Sequence, residues 1–497
     1  MNASIRRIGL GLAIAYLALF ANLNVVQLAK SRELTEHRLN RRTLIQEYGT
    51  RRGEIIAAGN TVIARSVPSD SGQYKYRREY PLANLFGHIT GYYSFNYGRA
   101  GLERTYNDVL LGKEPATPEN FVDELLGREK AGNVVQLTID PELQALARAK
   151  IGRQRGAAAV LDASSGAVLA LYANPTYDPN PLSQSPRNQK SIDAAWNRLT
   201  KSPLKPLTFR ATQERYPAGS TYKIITAAAG LELKKWTPNK TFPTMRRLDL
   251  PDSDRTLGNF GGSTCGGTMR RALMVSCNTY FAQAGMQIGS RGMYEMSSRF
   301  GLNDPVDFDI SVARSCLRAS AGGCSDEPLS RPHTAYSSIG QFDVRVTPLQ
   351  MAIVAATVGN GGFRPRPYLV RRVLGPDGAE LMRTEPERSK RIYSKRTAAA
   401  LRSMMIDVVR AGTGTVVGFK DGRKGTIGGK TGTAQTGVEG QAPHVWFVAF
   451  GPDVAVAVVI ENGGNLRSEA TGGRVAGPIA KALLEKVVAD RAKAASR

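Results

Sequence analysis

The chain has 497 residues, enough for two or three domains and a substantial core. Its apolar and charged fractions are those of an ordinary globular protein, which excludes bulk disorder. Lys and Arg number 67 against 42 Asp and Glu, a formal net charge of +25. These cations are spread along the chain and broken by acids. With no zinc-finger spacing, RNP-type motif or Lys/Arg block, nucleic-acid binding is set aside. A protein facing anionic lipid and an anionic polymer outside the cell accounts for the charge as well.

Met1 to Arg7 carries Arg6 and Arg7 and reads as a short cytoplasmic tail. Ile8 to Ala21 has no polar side chain but Tyr16, and the apolar run continues to Ala29 past Asn22, Asn24 and Gln27. The whole stretch, 8–29, has the length of a bilayer-spanning helix and predicts an uncleaved signal anchor. A cleaved signal peptide is the competing reading; its apolar core would fit, but no A-x-A site follows. Lys30 and Arg32 follow the span directly, so the positive-inside rule does not orient it.

Residues 30–133 read as a membrane-proximal linker and a small, mainly β pedestal. Residues 30 to about 52 are polar and rich in Arg, Leu and Glu, a helix or linker pattern. Glu54–Ala58 and Thr61–Ser66 flank the turn dipeptide Gly59-Asn60, a hairpin signal. Gly112 to Pro118 breaks the pattern as a loop. From Val134 to 492 the texture is that of one α/β domain, followed by a tail at 493–497. Val134–Ile139 predicts a strand and Pro141–Ile151 a helix. Ala157–Leu161 and Ala167–Tyr172 predict a hairpin around Asp162 to Gly166. Helices follow at Thr221–Leu233, Met269–Gly289 and Pro348–Val358. Thr426–Gly432, Val445–Phe450 and Val454–Glu461 predict adjacent strands, and Gly477–Arg491 a closing helix. Strands at both ends of this segment predict a sheet that pairs its first and last strands.

Three short motifs carry chemistry. Ser220-Thr221-Tyr222-Lys223 follows Gly219, so Ser220 opens a helix and Lys223 lies one turn on, on the same face. A serine hydroxyl needs a neighbour to take its proton, and a lysine does so once burial or another cation lowers its pKa. Alone the pattern also suits a solvated helix start. Ser276-Cys277-Asn278 offers a hydroxyl to relay a proton and an amide to orient a carbonyl; its bland alternative is a helix end followed by another helix. Lys430-Thr431-Gly432-Thr433 offers a cation and hydroxyls for a terminal carboxylate on a glycine-bearing strand. A phosphate loop is excluded here, because its first glycine would fall on Lys424. Together and in this order the three are the signature of penicillin-binding proteins and class A β-lactamases.

The chain resembles the class B penicillin-binding proteins, and most closely the penicillin-binding protein A group of actinobacteria, from about residue 50 to the C-terminus. Arg52-Gly53-Glu54-Ile55 and Gly101-Leu102-Glu103-Arg104 look like that family's pedestal elements. Ser338-Ile339-Gly340-Gln341, Val346-Thr347-Pro348 and Val445-Trp446-Phe447 are also characteristic. The resemblance implies an α+β architecture: a transmembrane helix, a mainly β pedestal, and a transpeptidase/β-lactamase-like domain with an antiparallel sheet flanked by helices. It implies a D,D-transpeptidase that cross-links peptidoglycan, is acylated by β-lactams, and acts outside a plasma membrane that it spans once. Ser220 resembles the nucleophile, Lys223 its base, and Ser276 and Asn278 a relay pair. Lys430, Thr431, Gly432 and Thr433 resemble the substrate contacts, and the N–H groups of Ser220 and Thr433 the oxyanion hole. No metal or cofactor is implied. The expected partners are stem peptides, lipid-linked precursors, β-lactams and a polytopic membrane glycosyltransferase, since residues 30–133 are too few for a glycan-polymerising domain. Ala218, Phe209 and Tyr222 depart from the family's common Pro, Asn and Phe. His444 and Trp446 are expected to shape or pack the site.

Rivals remain. A class A β-lactamase would carry Glu-x-x-x-Asn between the second and third motifs, and the stretch from Ser276 to Lys430 has none. A D,D-carboxypeptidase differs only in using water as acceptor. A non-catalytic scaffold is disfavoured by the intact Ser220, Lys223, Ser276 and Lys430. Four cysteines allow three pairings, and spacing excludes a structural zinc site. Cys277 is expected to face the core, either as a free buried thiol or paired with Cys265, with Cys316 then pairing Cys324.

Overall fold

A computed structural model describes residues 2–29, 41–72, 74–113, 131–321, 323–387, 391–420 and 425–496. Residues 30–40 of the expected linker and 114–118 of the expected loop lie outside the described residues, as does Gly322 between Cys316 and Cys324.

Asn2–Asn24 is α-helical and continues as a π-helix over Val25–Ala29. Its window Ile5–Gln27 is long and apolar enough to cross a membrane, and none of it is buried against the rest of the protein. Helix Arg41–Gly49 docks on the pedestal. Tyr48 stacks on Tyr93 at 4.9 Å, and Glu47 meets Arg99 and Lys113.

A six-stranded sheet forms the pedestal's frame, in the order Glu380–Arg383, Val370–Leu374, Val134–Leu137, Ile55–Ile56, Val62–Ser71, Tyr74–Glu79. Gly59-Asn60 turns the chain between Ile55–Ile56 and Val62–Ser71, which pair antiparallel as the hairpin chemistry requires. The two pedestal motifs meet in a buried ion cluster. Arg52 Nε donates to Glu103 Oε2 at 2.6 Å and Arg78 Nε to Glu103 Oε1 at 2.6 Å. Burial pushes the Glu103 carboxyl up, but the Arg78 and Arg52 guanidiniums outweigh it and hold the carboxyl below its usual range.

The second sheet has five antiparallel strands, in the order Gly428–Ala434, His444–Gly451, Val454–Ile460, Gly156–Asp162, Val168–Asn174. Its middle strands are apolar at nearly every position because both faces are covered. Ala157, Ala159, Val448, Phe450, Ala457 and Val459 enter one core, and the alternate residues Ala158, Val160, Phe447, Ala449, Val456 and Val458 enter another. Helix Pro348–Gly359 packs on the sheet on one side; Pro141–Ile151 and Ala476–Ala495 pack with the second core. Pro141–Ile151 starts where Asp140 Oδ1 accepts from the N–H groups of Glu142 and Leu143.

Two expectations are corrected. Val134–Leu137 is a strand, but it joins the pedestal sheet; the central sheet instead closes by pairing Gly156–Asp162 with Val454–Ile460. Hydrophobic alternation identifies a strand without saying which sheet takes it. Met269–Gly289 is not one helix. It breaks into Met269–Met274 and Asn278–Ile288 because Ser276 adopts φ 61°, a left-handed conformation no α-helix accommodates.

Candidate active site

Ser220 lies in a 3-10 turn, Gly219–Tyr222, that runs into helix Lys223–Leu233. The first nine residues of that helix are all buried, so Lys223 enters the core with its ammonium stripped of water. The turn is held from two sides. Gly219 (φ 53°) donates its N–H to the Gly340 carbonyl at 2.8 Å. A β-carbon at 219 would sit 2.6 Å from the Thr433 carbonyl oxygen, and one at 340 would sit 2.1 Å from the Gly219 oxygen. Only glycines allow this three-way approach. Thus Ser338 to Gln341 buttresses the serine turn, and strand Gly428–Ala434 lies directly against it. Thr226 Oγ1 also donates to the Ser338 carbonyl at 2.7 Å.

The three sequence motifs meet at Ser276, whose hydroxyl is shared by the two lysines. Lys223 Nζ donates to the Ser276 carbonyl at 2.7 Å and to Asn278 Oδ1 at 2.6 Å, with Ser276 Oγ at 3.3 Å. Lys430 Nζ donates to Ser276 Oγ at 2.9 Å and to the Thr431 carbonyl at 2.9 Å. Both lysines are 0% exposed. Burial, and then the charge of Lys430, push Lys223 well below the ordinary lysine range. Burial alone pushes Lys430 down to about 7.

The left-handed Ser276 is held by its neighbours. Its N–H donates to the Leu273 carbonyl at 3.2 Å, and that of Cys277 to the Ala272 carbonyl at 2.8 Å. Helix Asn278–Ile288 has no side-chain cap of its own. Asn259 supplies one from outside: its Oδ1 accepts from the N–H of Asn278 at 2.9 Å and of Thr279 at 3.0 Å. Its Nδ2 donates to the carbonyls of Met245 and Ser263, both at 3.0 Å. Cys277 is buried and bonded to Cys265, with 5.8 Å between their Cα atoms. Cys316 pairs with Cys324. Cys265 begins a strand, Cys265–Thr268, that pairs with Thr241–Met245, so the glycine-rich segment is partly ordered as sheet.

A second network fixes the segment entering the serine turn. Glu461 Oε1 accepts from Arg210 Nε and from Tyr216 OH, each at 2.8 Å, and Oε2 forms an ion pair with Arg155, 2.9 Å from its Nε. Tyr216 and Val346 exchange both backbone hydrogen bonds. Trp446 Nε1 donates to the Pro217 carbonyl at 3.0 Å, and His444 Nδ1 accepts from Asn462 N–H at 3.2 Å. His444 and Trp446 therefore pack this wall. Phe209 is buried, stacked on His88 at 4.8 Å between ring centres; burial lowers that imidazole to about 4. The hydroxyl of Tyr222 is met by Ser297. Asn259 and Glu461 carried no motif, and nothing in the sequence singled them out. Among the described residues, no cluster of His, Cys, Asp and Glu could hold a metal.

The family described as "Penicillin binding protein transpeptidase domain" matches residues 156–485, and "Penicillin binding protein A dimerisation domain" matches residues 52–135. The chain is 37% identical to the peptidoglycan D,D-transpeptidase PbpA of Mycolicibacterium smegmatis, covering 97% of this chain and 98% of that one. It is 37% identical to the protein of that name from Mycobacterium tuberculosis, covering 98% and 99%. Among solved structures, penicillin-binding protein A from M. tuberculosis, as a ceftriaxone acyl-enzyme, superposes with a TM-score of 0.80 at 36% identity, covering 89% of this chain and 99% of that one. Pseudomonas aeruginosa PBP2 superposes with a TM-score of 0.71 at 27% identity, covering 88% and 96%. With the Ser220, Ser276 and Lys430 segments assembled around one buried lysine, the chain belongs to the penicillin-binding protein transpeptidases, in the penicillin-binding protein A group.

Proposed function

We propose that Lys223 acts as a neutral base on Ser220, in a chain that is a serine-type peptidoglycan D,D-transpeptidase. The carrying observation is the setting of its amine, which is wholly buried and, beside Lys430, is pushed well below the ordinary lysine range. The Ser276 carbonyl and Asn278 Oδ1 accept from it at 2.7 and 2.6 Å, and the Ser276 hydroxyl at 3.3 Å is its third neighbour. A neutral amine so held offers a lone pair to the proton of Ser220, three residues back in the turn that leads into the helix.

Ser220 Oγ attacks the carbonyl between the two terminal D-alanines of a stem peptide, and its proton passes to Lys223. The oxyanion is held by the N–H groups of Ser220 and Thr433. As the tetrahedral species collapses, the proton passes from Lys223 through the Ser276 hydroxyl to the departing D-alanine amine. An acceptor amine then attacks the ester, losing its proton along the same route, and Ser220 is regenerated. Lys430, Thr431, Gly432 and Thr433 bind the donor's carboxylate and backbone. A β-lactam enters the first half only, because its leaving amine stays tethered.

The division of the chain we propose is a cytoplasmic tail at 1–7, an anchor at 8–29, a pedestal at 30–133 whose sheet is completed by the strands Val134–Leu137, Val370–Leu374 and Glu380–Arg383, a transpeptidase domain over the rest of 134–492 and a tail at 493–497. The transpeptidase domain lies outside the plasma membrane, where it meets lipid-linked precursors and a polytopic glycosyltransferase. The unburied apolar helix supports the anchor. A chain whose mature N-terminus lies near residue 30 would replace the anchor with a cleaved signal peptide.

The function is tested with a D-Ala-D-Ala thioester donor and a D-amino acid acceptor. Transfer to the amine in preference to water is expected. Hydrolysis alone at saturating amine would make the protein a D,D-carboxypeptidase, and no turnover together with no acylation would leave a scaffold.

A further inference from the structure

Thr431 does not reach the substrate side alone. Its Oγ1 lies 2.7 Å from Oγ1 of Thr413, in the loop that follows helix Lys395–Ala411. That loop is fixed by its backbone. Gly412 N–H donates to the Val408 carbonyl at 3.2 Å, and Gly414 N–H to the same carbonyl at 2.9 Å. Thr413 N–H donates at 3.1 Å to the carbonyl of Met274, two residues before Ser276. A β-carbon at 412 would sit 2.3 Å from the Met274 oxygen, so this contact is as close as glycine permits. Gly473 closes the other side: a β-carbon there would lie 3.2 Å from the Thr413 carbonyl oxygen and 3.6 Å from the Thr431 methyl group. Thr413 thus spans two of the site's segments, through its amide to the Ser276 turn and through its hydroxyl to Thr431.

The hydroxyl pair has two polarities. If Thr431 donates to Thr413, Thr431 presents lone pairs to the cleft and repels an anion. If Thr413 donates to Thr431, the Thr431 hydrogen is free to point outward, and the accepted bond makes it a stronger donor. A carboxylate arriving near Lys430 selects the second arrangement.

We propose that Thr413 is a positioning residue for the donor carboxylate: it donates to Thr431 and so turns the Thr431 hydroxyl into a hydrogen-bond donor toward the substrate anion. This inference rests on the reading of Thr431 as a carboxylate contact. Valine at 413 keeps the shape and removes the donor; serine keeps the donor.

The experiment follows acylation of the full chain in detergent, comparing penicillin G with its methyl ester, which lacks the anion. For the wild type the acid is expected to acylate Ser220 much faster than the ester. Thr413→Val should slow acylation by the acid about tenfold, through weaker binding and not through the first-order acylation step. It should leave the ester rate within about twofold, and Thr413→Ser should restore the acid rate. Thr413→Val added to Thr431→Val should cause no further loss. Equal slowing of acid and ester, or serine behaving as valine, would overturn the inference while leaving the transpeptidase reading intact. A wild type that does not prefer the acid, or is not acylated at Ser220, overturns that reading and this inference with it. Near-ultraviolet circular dichroism and the melting midpoint show whether each variant is folded. If Thr413→Val is not folded, Thr413→Ala in the same comparison decides the inference by the same criteria.

Discussion

Removing the Asn259 side chain tests whether the catalytic lysine is held from a distance. In Asn259→Ala the N–H groups of Asn278 and Thr279 lose their acceptor, and the carbonyls of Met245 and Ser263 lose their donor. Loss of a helix cap costs about 0.5–2 kcal/mol. The Met245 and Ser263 carbonyls are only partly buried and can take water instead, so losing their donor adds about 0.5–1.5 kcal/mol. The expected destabilisation is therefore about 1–3.5 kcal/mol, read from the urea midpoint at constant m. The Cys265–Cys277 bond keeps the segment tethered, so the variant still folds. Asn278 is then less well placed to hold Lys223, and acylation by labelled penicillin should fall about tenfold or more, about 1.4 kcal/mol. Asn259→Asp keeps the acceptor for both N–H groups and should recover most of the acylation rate while losing the amide's donor bonds. A loss below about 0.5 kcal/mol with an unchanged acylation rate would refute the reasoning, since the cap would then be doing nothing for the helix.

The remaining expectations concern charge and covalent bonds. Lys430 has a folded pKa of about 7, below its unfolded value, so the unfolded chain holds more protons from about pH 7 upward. Stability should therefore rise with pH across that window, and the acylation constant for an anionic β-lactam should fall above about pH 7 as the cation is lost. Lys430→Arg, charged throughout, should lack that limb in a pH–rate profile. Glu461→Ala strands the Arg210 guanidinium in the interior and should cost about 3–5 kcal/mol in urea unfolding. Cys265→Ser opens the 12-residue link to Cys277 and should cost about 2–4 kcal/mol, measured against the wild type under oxidising conditions.

The parts of this molecule legible in the sequence were those that chemistry forces into short patterns. Ser220 to Lys223, Ser276 to Asn278 and Lys430 to Thr433 each place two or more groups on one turn or strand, so local spacing carries them. Helix Pro141–Ile151 was legible to its ends because Asp140 and Pro141 announce its start. What stayed hidden depends on distant partners. Asn259 acts on residues 19 and 20 positions away, and Glu461 on Arg210, 251 positions away. An isolated Asn or Glu in sequence is indistinguishable from a solvated one. The break at Ser276 was legible only as an alternative, a helix end followed by another helix: serine gives no sign of a left-handed backbone, and the surrounding apolar periodicity continues through it. The destination of Val134–Leu137 was hidden because alternation records which residues are buried, not against which sheet.

The central claim is that Lys223, held neutral by burial, draws the proton from Ser220. Intact-protein mass spectrometry after incubation with penicillin G, followed by peptide mapping, tests it on three proteins. The wild type should gain one penicilloyl group on Ser220 and keep it for many minutes. Ser220→Ala should gain none. Lys223→Arg, whose guanidinium stays protonated, should be folded by circular dichroism and gain none on the same timescale. Acylation of Lys223→Arg at the wild-type rate, or a penicilloyl group mapped to any other residue, would contradict the account.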